Sequence, residues 1–544
     1  MRKNPPKRRR YLHFALLSCF GFLITIILTV ALPASSQTQP DAQQVVGEVV
    51  LNDALVTELH ERFDGYVEQK VFNDLVKEGK GPEAFELAFE LGDEAFEHSF
   101  TLADGVGANV GNGLRFTRIP RADLDGPGEW ANHTPFRLTG PNAQSCQACH
   151  NRPVGSASAG MTALNVIRDP LHAGTPESFI VRNTTSMFGS GALQRLAEEM
   201  TDELWAIRDQ AVAQAKDQDK QVTLELHAKG IPFGQVSALA DGSLVLDGVE
   251  GVDDDLVVKP FQWKGSDVSL RQFMRDATHR ELGLQATELV GREVDGDFDG
   301  VINELSAGDL TGMVIYAAAQ PRPTTSLELA SLGLAEPLSD EQTASIEQGE
   351  QLFHEVGCTS CHTPSLSLDD PIFSEPSQHE AYRDAEFPSG LSASALELSP
   401  EYAVRFDLSQ DQPDNRVEQN GSPYLLGAFA KNEQGQTVVA LYGDLKRHDM
   451  GPGLAEPIDE TGAGASVFLT KELWGVADTA PYLHDGRATT LAEAILWHGG
   501  EAEASRAAFE ALELAEQKSL ISFLDNLKIV LLEERWGDWR LVSG

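Results

Sequence analysis

Basic residues are scarce in this 544-residue chain. It contains 42 lysines and arginines but 83 aspartates and glutamates, so its formal net charge is −41. A protein that binds nucleic acid needs a cationic surface to neutralise phosphates, and this composition therefore argues against a nucleic-acid partner. A basic partner protein would suit the charge. Hydrophobic residues make up 41% of the chain, which excludes an intrinsically disordered protein.

Cysteine is also scarce, with five residues in the chain. Cys19 lies in an N-terminal apolar run, and the other four form Cys146-Gln147-Ala148-Cys149-His150 and Cys358-Thr359-Ser360-Cys361-His362. Two disulfides, a thioredoxin-like redox pair and a zinc site are alternatives, but none explains a histidine directly after each pair. The motif C-x-x-C-H attaches haem c through two thioether bonds, and its histidine binds the iron. We therefore predict two covalently bound haem c groups, with His150 and His362 as iron ligands.

The N-terminal segment has the pattern of an export signal. Six lysines and arginines and no acidic residue occur in the first 36 residues, where an apolar run extends from Phe14 to Leu32. The run is longer than most signal cores and is sufficient to span a bilayer. We expect residues 1–36 to be a signal peptide or a signal anchor. The protein would then be periplasmic or otherwise exported, either free or anchored to the inner membrane by its N-terminus.

A short pattern occurs before each cysteine motif. Gly349-Glu350-Gln351-Leu352-Phe353 lies in a helical stretch predicted from Asp340 to Val356, and Gly92-Asp93-Glu94-Ala95-Phe96 repeats the pattern upstream. The interval to the first cysteine is 54 residues in the first unit and 9 in the second, so the first unit carries an insertion of about 45 residues. A final helix is predicted from Ala515 to Ile529. The chain therefore reads as two cytochrome-like units.

The C-terminal part carries a distinctive sequence. It contains Leu473-Trp474-Gly475-Val476, then Thr479-Ala480-Pro481-Tyr482-Leu483-His484-Asp485-Gly486-Arg487, and then Thr490 to Gly500 with the ending Trp497-His498-Gly499-Gly500. With these residues the chain resembles the di-haem cytochrome c peroxidase superfamily, and within it the peroxidase-like di-haem oxidoreductases. Further matches are Pro260 to Gly265 and Arg447 to Gly451.

The resemblance implies a mainly α fold with two cytochrome c-like haem domains, long loops and insertions. We expect an N-terminal extension over residues 37–83, a first haem domain over 84–335 and a second over 336–544. The resemblance also implies that His498 is the distal ligand of the second haem, with Met450 as the rival. A thioether ligand would raise the reduction potential. Trp263 would relay electrons between the haems, although a buried aromatic residue that packs on a haem is the simpler explanation.

At the first haem, the resemblance gives Glu281 the place of the catalytic carboxylate. Heterolysis of a peroxide requires a group that takes a proton from one oxygen and returns it to the other. His279 is a second candidate for this acid-base role or for a haem ligand, and a surface helix face is the alternative for both residues. No histidine matches the distal position of the first iron, and His98, His133 and His172 stay open.

An acidic loop follows the predicted catalytic segment. Asp295, Asp297 and Asp299 alternate before Gly300, as at the start of an EF-hand calcium loop, and Glu304 adds a carboxylate. Position 12 of such a loop is Ser306 here instead of glutamate, so the ending differs. Calcium is therefore predicted at this loop, and a solvated acidic turn is the alternative.

The function that the resemblance implies is the reduction of hydrogen peroxide with electrons from a small, basic redox protein. A second interpretation keeps both haems but binds dioxygen or oxidises an organic or protein substrate. A third is an electron-transfer cytochrome without a substrate.

Overall fold

The structure is a computed structural model in which α-helices are combined with short β-strands. It describes residues 66–106, 142–150, 166–168, 179–296, 300–388, 390–410, 416–419, 422–425, 427–529, 532–535 and 538–541. The predicted export signal at residues 1–36 lies outside the described residues. No helix of the described ranges has the length and apolar character that a membrane crossing requires.

The helices hold more of the described residues than the strands do. In chain order they are α1 Gln69–Lys77, α2 Gly81–Glu97, α3 Ser190–Gln218, α4 Leu270–Ala277, α5 Thr287–Val290, α6 Ala307–Ala318, α7 Ser326–Ser331, α8 Asp340–Glu355, α9 Leu491–Trp497, α10 Glu503–Ala511 and α11 Leu514–Asn526. Short 3-10 turns include Cys146–Ala148 and Cys358–Ser360, and a π-helical turn covers Thr278–Leu282.

The strands are two to eight residues long. They are β1 Val166–Arg168, β2 Ile180–Arg182, β3 Val222–Ala228, β4 Ile231–Ala238, β5 Leu244–Val245, β6 Thr324–Thr325, β7 Leu366–Leu368, β8 Ile372–Glu375, β9 Val404–Asp407, β10 Arg416–Gln419, β11 Ser422–Leu425, β12 Thr437–Val439, β13 Arg447–Asp449, β14 Val467–Leu469, β15 Leu527–Lys528, β16 Leu532–Arg535 and β17 Asp538–Leu541. The order β3-β4-β5 forms a three-stranded antiparallel sheet, and the other described strands form antiparallel pairs. The predicted mainly α fold is thus confirmed in part, because the structure mixes helices and strands.

The two predicted terminal helices of the second unit are present. The stretch predicted from Asp340 to Val356 is α8, and its N-terminus is capped by Ser339 and Gln342 in a capping box. The final helix ends at Asn526 and not at Ile529, because Leu527 and Lys528 leave it to pair with β6. Hydrogen bonding to another strand therefore overrides the helical pattern at this end.

Both glycines of the repeated pattern lie where two helices cross at backbone contact. A Cβ atom on Gly92 of α2 would be 2.3 Å from the carbonyl oxygen of Gly312 in α6. A Cβ atom on Gly349 of α8 would be 1.9 Å from the carbonyl oxygen of Ser519 in α11. Real Cβ atoms do not approach a backbone oxygen so closely, so only glycine permits either crossing.

The described residues pack into two main hydrophobic cores. The larger core contains α2, α3 and α6, and the smaller one lies between α8 and α11, where Leu352, Phe353 and Phe523 are buried. The chain between α8 and α11 does not stay with the smaller core, because Leu368 and Phe373 pack in the larger one. The predicted domain boundaries stay predictions.

A buried arginine fastens this segment to the larger core. Arg271 of α4 forms an ion pair with Glu288 of α5, and its Nη1 donates to Glu375 of β8 over 2.6 Å. Nη1 also donates to the Thr311 hydroxyl of α6 at 3.0 Å. The charges are buried, but every one has a partner, which is the condition under which a protein interior tolerates them.

The crossing at Gly349 gives a test of the packing. Gly349→Ala should destabilise the protein, although alanine is normally better than glycine inside a helix by about 1 kcal/mol. The added methyl group would overlap the Ser519 carbonyl, and overpacking of this kind costs about 1 to 3 kcal/mol. We expect the urea midpoint of unfolding to fall.

Gly81→Ala is the matched control for this test, because Gly81 starts α2 and has no atom within 4 Å of the position of a Cβ. Its urea midpoint should stay level or rise. Equal midpoints for the Gly349 variant and the parent protein would contradict the assigned crossing.

Candidate functional site

The second cysteine motif lies at the end of α8. Gly357 turns the chain with a φ of +86°, and the 3-10 turn Cys358–Ser360 leads directly to His362. The Nδ1 atom of His362 is 3.0 Å from the carbonyl oxygen of Tyr442 and must donate to it, since a carbonyl only accepts. This tautomer leaves Nε2 as the atom that can bind iron. Burial lowers the pKa of His362 to about 4, so the ring is neutral at neutral pH.

His498 faces His362 from the end of α9. Its Nδ1 donates to the carbonyl oxygen of Ala494 at 2.8 Å, which again leaves Nε2 for a metal. Burial lowers the pKa of His498. The two ring centres are 6.5 Å apart. Imidazoles on opposite sides of one metal ion have ring centres about 6 Å apart, because metal–nitrogen bonds are about 2 Å long. The pair therefore fits one iron, and the ligand role of His498 stays a prediction.

The facing histidines lie in a cavity with mostly apolar walls. Phe353, Leu491 and Leu524 line it beside Cys358 and Cys361. Such walls fit a haem, which is a large apolar ring. Two further predicted residues line the same cavity, Met450 and Trp263. Both candidates for the distal ligand of the second iron are therefore present in one site.

Trp263 is fixed by a hydrogen bond that crosses between distant parts of the chain. Its indole Nε1 donates to the carbonyl oxygen of Asn183 at 2.8 Å. The Asn183 side chain donates to the carbonyl oxygen of Pro481 at 2.6 Å, and its backbone N–H donates to that of His484 at 2.7 Å. Asn183 therefore connects Trp263 with the Pro481 to His484 loop of the cavity wall.

The first cysteine motif forms a similar turn. Cys146–Ala148 is a 3-10 turn, Cys149 is buried, and burial lowers the pKa of His150 to about 4. Nδ1 of His150 is buried and has no hydrogen-bond partner among the described residues. The Phe96 ring lies 5.9 Å from the His150 ring, and the Phe353 ring lies 6.3 Å from the His362 ring. The phenylalanines of the repeated pattern thus pack beside the two predicted iron ligands in the same way.

Glu281 binds the segment that precedes the first cysteine motif. Its carbonyl oxygen accepts from the backbone N–H groups of Asn142 and Ala143 at 2.7 and 2.9 Å. Its carboxylate Oε2 accepts from Asn142 Nδ2 at 2.7 Å. The residue lies in the π-helical turn Thr278–Leu282, and such turns are frequent at functional sites. Glu281 therefore contacts two residues that lie shortly before Cys146 in the sequence.

His279 is buried in the same turn, with Nδ1 3.3 Å from the carbonyl oxygen of Leu284. The alternative that placed His279 on a surface helix face is therefore wrong.

The three candidates for the distal side of the first iron stay undecided. His98 caps the end of α2, and its Nε2 lies 3.8 Å from Asp104. His133 and His172 lie outside the described residues.

The geometry of the cysteines disfavours their other uses. In the described part of the chain no cysteine is in a disulfide. Burial raises the pKa values of Cys146 and Cys358 to about 12, whereas reactive redox cysteines have lowered values. A zinc site would join the two pairs, but over these residues the group that could hold a metal is Cys361 with Asp444 and His448. Both motifs therefore fit covalent haem, and its attachment stays a prediction.

His448 is a residue of this site for which no role was predicted from the sequence. Its ring nitrogens lie 2.8 Å from an Asp444 oxygen and 2.7 Å from a Glu501 oxygen. Burial alone would lower the pKa of His448, but hydrogen bonds to Asp444 and Cys361 outweigh burial and raise it to about 11. The cluster of charged residues in Asp444 to Asp449 was the available signal, and it does not identify partners.

The calcium prediction falls partly outside the described residues, because Asp297 and Asp299 are among those not described. Asp295 accepts from the backbone N–H of Gly300 at 2.9 Å, and Glu304 accepts from that of Gln285 at 2.7 Å. The first bond is typical of a turn, and the second joins residues 19 positions apart in the sequence. Calcium at this loop stays a prediction.

Replacement of His498 tests the facing pair. In His498→Ala the second iron should lose its sixth ligand, so a low-spin ferric signal should become high-spin in electron paramagnetic resonance. His354→Ala is the control, since His354 is exposed on α8. An unchanged low-spin signal in His498→Ala, together with a changed one in Met450→Ala, would assign the position to Met450.

Comparisons with known proteins come from solved structures, curated proteins and family models. A hydrazine synthase of Kuenenia stuttgartiensis, solved under pressurised xenon, is 15% identical with a TM-score of 0.24, and the match covers 58% of this chain and 87% of the other. A MauG-like protein associated with microbial copper homeostasis is 15% identical with a TM-score of 0.24, over 54% of this chain and 78% of the other. No curated protein matches significantly.

Residues 420–527 match the family model described as "Di-haem oxidoreductase, putative peroxidase". This segment contains Met450, Trp474, His484 and His498, all of which line the cavity at the second cysteine motif, which we call the second cavity. The match supports an oxidoreductase that uses haem. The resemblance predicted from the sequence is therefore confirmed: this chain resembles the peroxidase-like di-haem oxidoreductases.

Proposed function

We propose that this protein is an exported di-haem c-type peroxidase that reduces hydrogen peroxide to water with two electrons and two protons. One observation carries the proposal: the two sites differ in the groups beside their cysteine motifs. The second has two facing imidazoles, and the first has the Glu281 carboxylate held against Asn142. An iron with two imidazoles suits electron storage, and a carboxylate near a haem suits peroxide cleavage.

Electrons would enter beside His498. Leu496 and Trp497 immediately precede it and are 43% and 42% exposed. The Arg487 guanidinium stacks on the Trp497 ring at 4.9 Å and holds it in place. A rigid exposed tryptophan is a common centre of a protein interface. Its covalent connection to His498 would make a short route to the iron.

The surroundings of Trp497 favour a basic electron donor. Asp449, Glu493 and Glu501 are exposed near the two ends of α9, and the backbone N–H of Asp449 donates to Glu501 at 2.8 Å. These carboxylates belong to a chain with a net charge of −41. A small redox protein with lysines around its own haem edge would be attracted to them, and salt would weaken the attraction.

Trp263 would carry the electrons onward to the first haem. Its hydrogen bond to Asn183 fixes the ring plane, and Asn183 is itself held by Pro481 and His484. A fixed aromatic ring between two redox centres shortens each electron step. The hydrogen bond is compatible with the relay role and with a packing role, because a buried indole N–H needs an acceptor in either case.

Glu281 would move the proton at the first haem. The haem, when bound, supplies the redox chemistry of the iron, and the chain supplies the acid-base group. The carboxylate would take the proton from the near oxygen of peroxide and give it to the leaving oxygen as water forms. Asn142 Nδ2 orients Oε2 by its hydrogen bond of 2.7 Å.

Glu281→Gln tests this role. The amide keeps the shape and an acceptor for Asn142 but cannot shuttle a proton, so peroxide turnover should fall about 100-fold. Reduction of the second haem by the donor should be retained. Glu225→Gln, on the exposed face of β3, is the control and should behave as the parent protein. Unchanged peroxide turnover in Glu281→Gln would remove Glu281 from the mechanism, whereas a parent protein without peroxide turnover would favour an electron-transfer cytochrome.

Trp497→Ala tests the entry site. With a small basic c-type cytochrome as donor, its KM should rise about tenfold, because a central interface tryptophan is lost. Turnover with a small-molecule reductant should stay as in the parent. Leu244→Ala removes an exposed leucine from β5 and should leave the KM unchanged. The KM of the parent should also rise with salt; if it does not, the electrostatic part of the proposal is wrong.

A further inference from the structure

Among the described residues, the buried indole N–H group of Trp474 has no acceptor. The side chain lines the second cavity and is 5% exposed, and Nε1 makes no hydrogen bond to any part of the chain that the structure describes. Buried polar groups in proteins almost always have partners, because an unpaired donor loses its bond to water and gains nothing. We therefore expect the N–H to donate to an acceptor other than the described protein groups, such as a bound molecule.

The position of the Trp474 ring is enforced by its packing. A Cβ atom on Gly189 would lie 2.5 Å from two carbons of the ring, so the ring rests directly on the backbone at the start of α3. Gly189 also has a φ of +70°, which other residues rarely adopt. The ring cannot move toward this backbone to find another partner. The ring is thus held in place in the cavity wall.

A second donor in the same cavity is also unpaired. Arg506 lines the cavity, and its Nε is buried without a partner in the described part of the chain, while its Nη2 donates to Glu503 at 3.3 Å. Lys471 and Glu472 line the cavity too and pair with each other at 3.3 Å. The cavity therefore offers surplus donors, one of them cationic. An occupant with anionic oxygen atoms would satisfy them.

We propose that Trp474 and Arg506 bind the carboxylate groups of the haem attached at Cys358 and Cys361. This inference rests on the proposed function, since it needs a haem in the second cavity. The apolar walls suit the ring of a haem, and its two carboxylates supply the anionic oxygens. Both side chains are then positioning residues that compensate negative charge close to the iron.

Redox potentials test this assignment. In Trp474→Phe the ring stays but the donor is lost, and Arg506→Gln removes the cationic donor. In each variant the less compensated carboxylate should stabilise ferric iron, so the midpoint potential of the second haem should fall. The carboxylate bending band in resonance Raman spectra should shift, and the potential of the first haem should not change.

Trp205 and Arg208 supply matched controls on α3. The Trp205 N–H has an acceptor in the Asp255 carbonyl oxygen at 2.9 Å, and Arg208 pairs with Asp209 at 2.8 Å. Trp205→Phe and Arg208→Gln should leave both potentials and the Raman band unchanged. If Trp474→Phe does not fold with both haems, Arg506→Gln decides, because that side chain is only half-buried.

The outcomes separate this inference from the proposed function. Unchanged potential and Raman band of the second haem in a folded variant would overturn it, because the donors would then bind only water. A lowered potential in a protein without peroxide turnover would support the inference while the peroxidase role fails. A parent protein without haem at Cys358 and Cys361 would overturn both.

Discussion

The close approach of two helices at a glycine is the contact on which both cysteine motifs depend. At Gly349 the backbone of α11 lies against α8, and the next turn of α8 carries Phe353 to the side of His362. Gly92 and Phe96 have the same relation to α6 and His150. A larger residue at either glycine would separate the helices and move the phenylalanine away from the ring that it supports. The position of each predicted iron ligand is therefore set by backbone contact on the preceding helix.

Features that depend on neighbours in the sequence were predictable, and those that depend on distant contacts were not. The extent of α8, the repeated pattern and the C-x-x-C-H turns follow from spacing within a few residues. Asn183 is 80 residues from Trp263, and no periodicity connects them. The packing of Leu368 and Phe373 in the larger core was hidden for the same reason, since an apolar residue does not identify its partner.

Burial acts alike on the histidines of the two sites. It keeps His150 and His362 neutral, because the charged form would lose hydration without a counter-ion. The sites differ in what lies opposite. A second neutral imidazole, His498, shares the cavity of His362. The carboxylate of Glu281 accepts a hydrogen bond from Asn142, in the segment that precedes His150. The two proposed haems could therefore differ in function because a different side chain lies near each of two otherwise similar turns.

The acidic surface makes it necessary to compensate negative charge at the second cavity. A chain of net charge −41 creates a negative potential, which would stabilise ferric iron at the proposed second haem and hinder its reduction. Carboxylates of a haem would add to that effect at short range, where the protein interior screens charge poorly. As donors on the cavity wall, Trp474 and Arg506 would offset the nearest negative charges without changing the surface. The surface can then remain acidic for the donor while the second iron still accepts its electron.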